Sequence, residues 1–350
     1  MIVYWSGCLL SMLIAWLCGA KQKGREQKRA EVFFAALPLV LISALRYDVG
    51  EDYLNTYVAY FQTVQRGGSY AHLEPLYHLL NAAVVVLGGD YVWVFVATAL
   101  MFMLTIYAQI FEDSPYPALS IFLLVGMGYY FVSFNAMRQM VGCGILLYSL
   151  RYIQNKRILP FLLCVASASC FHISCVVFIV MYWLGRIRIK PIWMLMGIGA
   201  VTALSPAVTQ FIRWIIAQTS YGVYLSSVFD TGQTAYVMMA INALLLVVLA
   251  LLYDEQDKTY QMYFNLQGAA LLITVFSGRI VLFLRMLWMF GLPSVISLPM
   301  AVAKLEKKKT RGMLIAAIVL MYFLYAMYTV GIQNSNHVLP YQTILGRWIG

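Results

Sequence analysis

Apolar runs of roughly membrane-spanning length recur from one end of the chain to the other, with short polar segments between them. The pattern predicts helical spans at 2–19, 32–45, 91–111, 117–134, 138–153, 191–204, 234–253, 260–277, 284–303 and 312–331. A helix needs about 20 apolar residues to cross the hydrocarbon core, fewer where the bilayer thins. Two further apolar stretches, 75–88 and 159–183, fit this count less simply. The first carries His78 and Asn81 and reads as re-entrant or interfacial. The second reads as a helical hairpin broken near Phe171-His172. Non-helical backbone at membrane depth is tolerated where protein or a water-filled cavity surrounds it. After residue 52 the period changes. Tyr53, Tyr57, Phe61 and Val64 recur at three- and four-residue spacing, with Asn55, Gln62, Gln65 and Arg66 on the other side. That is an amphipathic helix, lying along the outer interface or simply solvated.

The polar segments set the orientation. Basic residues gather at 21–29, at Arg151, Lys156 and Arg157, at Arg186, Arg188 and Lys190, and at 304–311. Loops enriched in Lys and Arg stay cytoplasmic. The first basic cluster follows the first apolar run, which is not the order of a cleaved signal and places the amino terminus outside. Counting crossings then brings 46–74, Arg138, His172, Arg279, Arg285 and the tail 332–350 to the outer face.

Composition agrees with this reading. The chain is 62% hydrophobic and 11% charged, with a mean hydropathy of +0.78; soluble domains carry about 25% charged residues. The expected fold is an all-α polytopic membrane protein, one integral-membrane domain over 1–350 with about 10–12 transmembrane or re-entrant helices. Weak alternating segments of about ten residues, the mark of a barrel, are missing. No internal repeat is visible, which argues against transporter folds built from duplicated halves. The net charge of +10 belongs to orienting loops rather than to a nucleic-acid surface. The six cysteines, at 8, 18, 143, 164, 170 and 175, sit in apolar runs without a CxxC pair and read as small buried hydrophobes.

Against this background the segment Arg46-Tyr-Asp-Val-Gly-Glu-Asp-Tyr53 stands out. It places Asp48, Glu51 and Asp52, three of the chain's 14 acidic residues, behind an arginine. Gly50 permits a tight turn that would fold the carboxylates back towards Arg46. An arginine and carboxylates at an interface suit an anionic substrate whose reaction needs a base; a solvated loop is the plainer reading. A second constellation, Asn135 with Arg138 and Gln139, follows a long apolar run. Near-membrane ionisable residues are functional candidates, and the planar guanidinium binds phosphate oxygens in bidentate fashion. His172 lies among small residues and suits either helix packing or proton transfer. Arg279 and Arg285 add charge near the same face. No metal-ligand spacing, nucleotide-binding fingerprint or nucleophile elbow occurs.

Taken in order, Arg46-Tyr47, Val49-Gly50, Asp52-Tyr53, Asn135, Arg138-Gln139, Phe171-His172 and the tail motif "LPYQTIL" (339–345) resemble the EpsG family of bacterial exopolysaccharide and capsule proteins. Glu51 departs from it, since the family commonly has a small or hydroxyl residue there, and the match at Arg285 is loose. The resemblance implies a Wzy-like, GT-C-like helical bundle in the bacterial cell membrane. It also implies a polymerase that moves a growing glycan from undecaprenyl diphosphate to the next lipid-linked repeat unit, without nucleotide or other cofactor. A flippase and a chain-length regulator of the same pathway would be its partners. Under this reading Arg46, Arg138, Gln139, Arg279 and Arg285 bind substrate, Asp48 orients Arg46 or meets sugar hydroxyls, and Asp52 or His172 is the base. A flippase of lipid-linked sugars, a membrane O-acyltransferase using His172, and a non-catalytic scaffold are the alternatives.

Overall fold

The computed structural model describes residues 1–18, 25–69, 74–219, 222, 225, 236–277 and 279–348. Its helices are α1 (Ile2–Cys18), α2 (Arg25–Ala44), α3 (Ala59–Gln65), α4 (Pro75–Val86), α5 (Tyr91–Asp113), α6 (Pro117–Gly126), α7 (Tyr129–Asn135), α8 (Met137–Gln154) and α9 (Ile158–Ser169). They continue with α10 (Met181–Leu184), α11 (Pro191–Ala217), α12 (Tyr236–Leu251), α13 (Lys258–Ser277), α14 (Val281–Gly291), α15 (Ser294–Ala303), α16 (Lys308–Ala326) and α17 (Ile344–Trp348). The described residues contain no strand, and the fold is that of an all-α polytopic membrane protein.

Several helices begin where proline sits in the first turn, at Pro75, Pro117 and Pro191. Proline's fixed φ suits that position, and its missing N–H costs nothing there. By length and composition, four described helices can cross a bilayer: Tyr91–Asp113, Pro191–Ala217, Phe283–Ala303 and Lys308–Ile332. The bent pair α6 and α7 makes a fifth, broken by 50° at Gly128, whose φ of +89° favours a residue without a side chain. The predicted span 117–134 is therefore a kinked one. The stretch 75–88 forms a twelve-residue helix, about 18 Å long, too short to cross. The stretch 159–183 does break at Cys170–His172, with α9 before it and a 3₁₀ helix (Ile173–Val180) and α10 after it.

The centre of the bundle is α13 with α15, α6 and α8, which are buried along most of their lengths. Amide donors carried inside find partners there. Asn265 Nδ2 donates to the carbonyls of Leu184 (2.7 Å) and Ile187 (2.8 Å), and Gln267 Nε2 donates to Asn242 Oδ1 (3.0 Å). Leaving them unpaired would cost several kcal/mol each in an apolar medium. Outward-facing apolar side chains such as Leu13 and Trp16 on α1, and Trp193, Phe211 and Trp214 on α11, remain exposed. That pattern suits contact with lipid tails rather than water.

The amphipathic segment after residue 52 forms as a π-helical turn (Tyr53–Val58) running into α3. Its apolar face is covered by protein. Tyr53 stacks on Phe95 at 4.6 Å, Tyr57 meets Tyr77 at 6.1 Å and Phe61 meets Tyr91 at 6.4 Å. The periodicity measured a face packed on α4 and α5, a distinction that sequence period alone does not carry.

Candidate functional site

Three separate signatures converge. The segment 45–50 pairs with the carboxyl-terminal tail: Tyr47 N–H donates to Gln342 O (2.9 Å), Ile344 N–H to Leu45 O (3.0 Å) and Gly50 N–H to His337 O (2.8 Å). Arg46 and Thr343 form an isolated antiparallel bridge. Tyr341 ties the tail to α2 through the Ile42 carbonyl at 2.9 Å, and Tyr4 bonds Val338 O at 2.7 Å. The third signature, at the junction of α7 and α8, closes the set. Asn135 Nδ2 donates to Asn336 O (3.0 Å). Gly50 has a φ of +103°, and a Cβ there would lie 2.7 Å from Asn135 Oδ1 and 3.2 Å from Phe134 O. Glycine is required on both counts. Tyr57 bridges the same junction, donating to Asn135 O and accepting from Met137 N–H (2.9 Å). Burial pushes its hydroxyl up to about 12, against the opposing pull of Arg138 and Arg46 and with Asp52 adding to the rise.

Arg46 does not sit at an open mouth. It is 1% exposed, with Nη2 donating to Phe134 O at 3.1 Å. Its guanidinium lies 4.3 Å from the Phe134 ring, 5.0 Å from Phe95 and 5.7 Å from Tyr53. Nε and Nη1 have no hydrogen-bond partner. Among the described residues no carboxylate lies within ion-pair distance of it. The expected fold-back of the acids is absent. Asp48, at φ +49°, and Glu51 are exposed. Glu51 Oε2 is 3.7 Å from His337 Nδ1. Asp52 accepts from Thr56 Oγ1 at 3.1 Å and starts the π-helical turn with its carbonyl. The peptide turns sharply at Gly50, but the tail takes the space behind it.

The polar cluster that is open lies one turn further on. Arg138, in the first turn of α8, places Nη1 2.5 Å from Glu74 Oε2, and His172 Nδ1 lies 3.0 Å from Glu74 Oε1. The His172 contact is an ion-pair distance rather than a well-aligned hydrogen bond. Side-chain exposures are 27% for Arg138, 12% for Glu74 and 15% for His172. The cluster is thus half-sheltered yet reachable. Glu74 immediately precedes α4, His172 precedes the 3₁₀ helix, and Leu76 N–H donates to Cys170 O (3.0 Å), fixing the two elements together. Burial tends to raise the Glu74 carboxyl, but the contact with His172 and the charge of Arg138 outweigh it and hold it below the ordinary value. Gln139, the next residue, donates to Arg285 O at 2.7 Å and to Ser174 Oγ at 3.3 Å. It therefore ties α14 to the cluster. Arg279 goes elsewhere: its Nη1 donates to Ser205 Oγ (3.0 Å) on α11, and its carbonyl accepts from Arg213 (2.8 Å).

The family model of the EpsG family matches residues 30–343 of the 350-residue chain. The chain belongs to the EpsG family. That membership ties it to exopolysaccharide biosynthesis. No curated protein and no solved structure matches it. In this EpsG-family chain, Arg138, Gln139 and His172 lie in one cluster with the Arg285 backbone. Arg46, Asp48, Asp52 and Arg279 lie outside its direct contacts. Glu74 is the residue that sequence reasoning missed. Its signal was an isolated carboxylate before Pro75 at the head of an apolar helix, in a chain with few acids.

A cavity of ≈ 440 Å³ opens beside this region, lined by Met127, Tyr129, Leu245, Leu284, Trp288 and Asn336 among others. Its lining residues are distinct from those of the cluster. Leu284 neighbours Arg285, and Asn336 accepts the Asn135 bond.

Proposed function

We propose that this EpsG-family chain is a polymerase of lipid-linked oligosaccharide repeat units, working at the outer face of the bacterial cell membrane. The donor is a glycan on undecaprenyl diphosphate, and the acceptor is the next lipid-linked repeat. The observation that carries the reading is the half-sheltered Glu74–Arg138–His172 cluster; the cavity lined by Leu284 and Trp288 is a separate feature of the bundle. An arginine and a carboxylate-backed histidine are parts that glycosyl transfer from a lipid diphosphate needs.

The reaction requires an acceptor hydroxyl to attack the anomeric carbon while the bond from that carbon to the diphosphate oxygen breaks. The bond's electron pair leaves with the lipid diphosphate. Arg138 meets the charge that develops there, exchanging its Glu74 contact for phosphate oxygens; preorganised cations at a leaving phosphate supply much of such a barrier reduction. Arg285, held nearby through Gln139, is the second cation of the site. His172 takes the acceptor proton at Nε2, and the Glu74 carboxylate 3.0 Å from Nδ1 stabilises the resulting imidazolium. Asp52, one turn from Tyr57, is the alternative base. Arg46 is a positioning residue in this scheme: it holds Phe134 and the start of α8, and Arg138 follows within one turn.

The test is chain length in cells. Arg138→Ala and His172→Ala, at normal protein levels, are expected to leave single repeats and no polymer. Wild-type polymer in both would contradict the assignment.

A further inference from the structure

A second polar cavity lies at the opposite end of α8. The helix has 18 residues, so the Arg138 cluster and this cavity are about 27 Å apart along it. The cavity measures ≈ 450 Å³. Lys156 reaches it from the turn after α8, Arg186 and Arg188 from the segment between α10 and α11, and Lys258 from the first turn of α13. Its floor includes the buried Gly185 and Met262. Four cations from three separate segments thus surround one hollow, and no carboxylate lines it.

The neighbouring acids are already engaged. Lys304 Nζ holds Asp254 Oδ2 at 2.7 Å and Asp257 Oδ2 at 2.9 Å, and Lys190 Nζ lies 3.6 Å from Glu255 Oε1. Among the described residues, no carboxylate is within 4.0 Å of the four cations around the cavity. Arg186 lies 5.1 Å from the Tyr182 ring, which leaves its donors to other acceptors. The first turn of α13 borders the hollow through Lys258 and Thr259; its positive end is already met by the Asp257 carboxylate, which accepts from Tyr260 N–H at 2.9 Å, so the field at the hollow comes from the four side chains.

We propose that this pocket binds a phosphate-bearing ligand on the face of the membrane opposite the Arg138 cluster. Like charges converging without counter-charge repel one another, and a phosphate relieves that cost with charge-assisted bonds. The basic-loop rule makes this face cytoplasmic, where anionic lipid headgroups are abundant and basic pockets between helices take them. A soluble diphosphate offers the same chemistry. The proposal is independent of the polymerase reading.

Two titrations separate the sources. Protein in phosphatidylcholine nanodiscs is titrated with inorganic pyrophosphate, and delipidated protein in neutral detergent with phosphatidylglycerol; both are followed by thermal midpoint and native mass spectrometry. The wild type is expected to bind at least one probe. Arg186→Gln with Arg188→Gln should weaken that binding by on the order of tenfold or more, as loss of one charge-assisted bond to phosphate implies. Lys307→Gln with Lys309→Gln, on a basic segment away from the cavity, should bind as the wild type does. Response to the lipid alone assigns a headgroup site, and response to pyrophosphate alone assigns a soluble ligand. Binding of neither probe, or equal weakening in both double variants, would overturn the pocket.

Discussion

Replacing Arg46 by methionine separates a structural arginine from one that must touch substrate. The guanidinium has ring faces at 4.3, 5.0 and 5.7 Å, each worth about 0.5–2 kcal/mol when desolvated. Its bond to Phe134 O adds about 1.5–3 kcal/mol, and the Met137 sulfur at 3.9 Å adds little. Against these stands a desolvation penalty of several kcal/mol for a buried ion, here with two donor atoms unpaired. The terms nearly cancel. A methionine of similar length keeps the packing on Phe95 and Phe134 and removes the penalty. Arg46→Met is therefore expected to fall within about 2 kcal/mol of the wild type. Arg46→Ala leaves a void among the same rings and should lose about 3 kcal/mol or more. Thermal unfolding in detergent reads the stability, and polysaccharide chain length reads the function. The account predicts that Arg46→Met folds and retains polymer. A well-folded Arg46→Met protein that makes only single repeats would refute the positioning role and return Arg46 to the substrate.

Glu74→Gln keeps the shape of the cluster but removes its charge. It should cost about 1–3 kcal/mol and shorten or abolish polymer, and unchanged chain length would count against the carboxylate's role. Because Glu74 is held below its ordinary 4.5, its stabilisation is complete above that value and is lost as pH falls through the lower folded value. Unfolding midpoints measured down through that range should drop in the wild type and stay flatter in Glu74→Gln. Gly50→Ala forces a side chain into positive φ and against Asn135 and Phe134. A loss of about 1–3 kcal/mol is expected in thermal unfolding. Tyr57→Phe removes the hydroxyl that serves Asn135 O and Met137 N–H, and should cost about 1–3 kcal/mol with weaker positioning of Arg138.

Helical class and membrane character were legible in the sequence because they rest on composition and run length, which tertiary structure does not alter. The break at Phe171-His172 was legible for the same reason: small residues and a histidine interrupt an apolar run. The kink at Met127-Gly128 was less visible, since a glycine in an apolar run marks a bend only when its φ is known. Arg46 shows the limit more sharply. Sequence placed it beside Asp48, Glu51 and Asp52, but the tail at 337–344 pairs with that segment across almost 300 residues and seals the arginine among rings. Only the "LPYQTIL" motif hinted at that pairing, and its partner could not be read from spacing. Glu74 was hidden for the converse reason. Its partners come from far along the chain, Arg138 from the start of α8 and His172 from the break after α9, and nothing near it in the chain carries charge.

The most direct measurement is made with purified protein in nanodiscs, supplied with one lipid-linked repeat unit and no nucleotide. The account predicts a ladder of longer lipid-linked glycans and release of undecaprenyl diphosphate, with both absent in Arg138→Ala. Folded wild-type protein that leaves the repeat unit unextended, or a ladder that persists in Arg138→Ala, would contradict it.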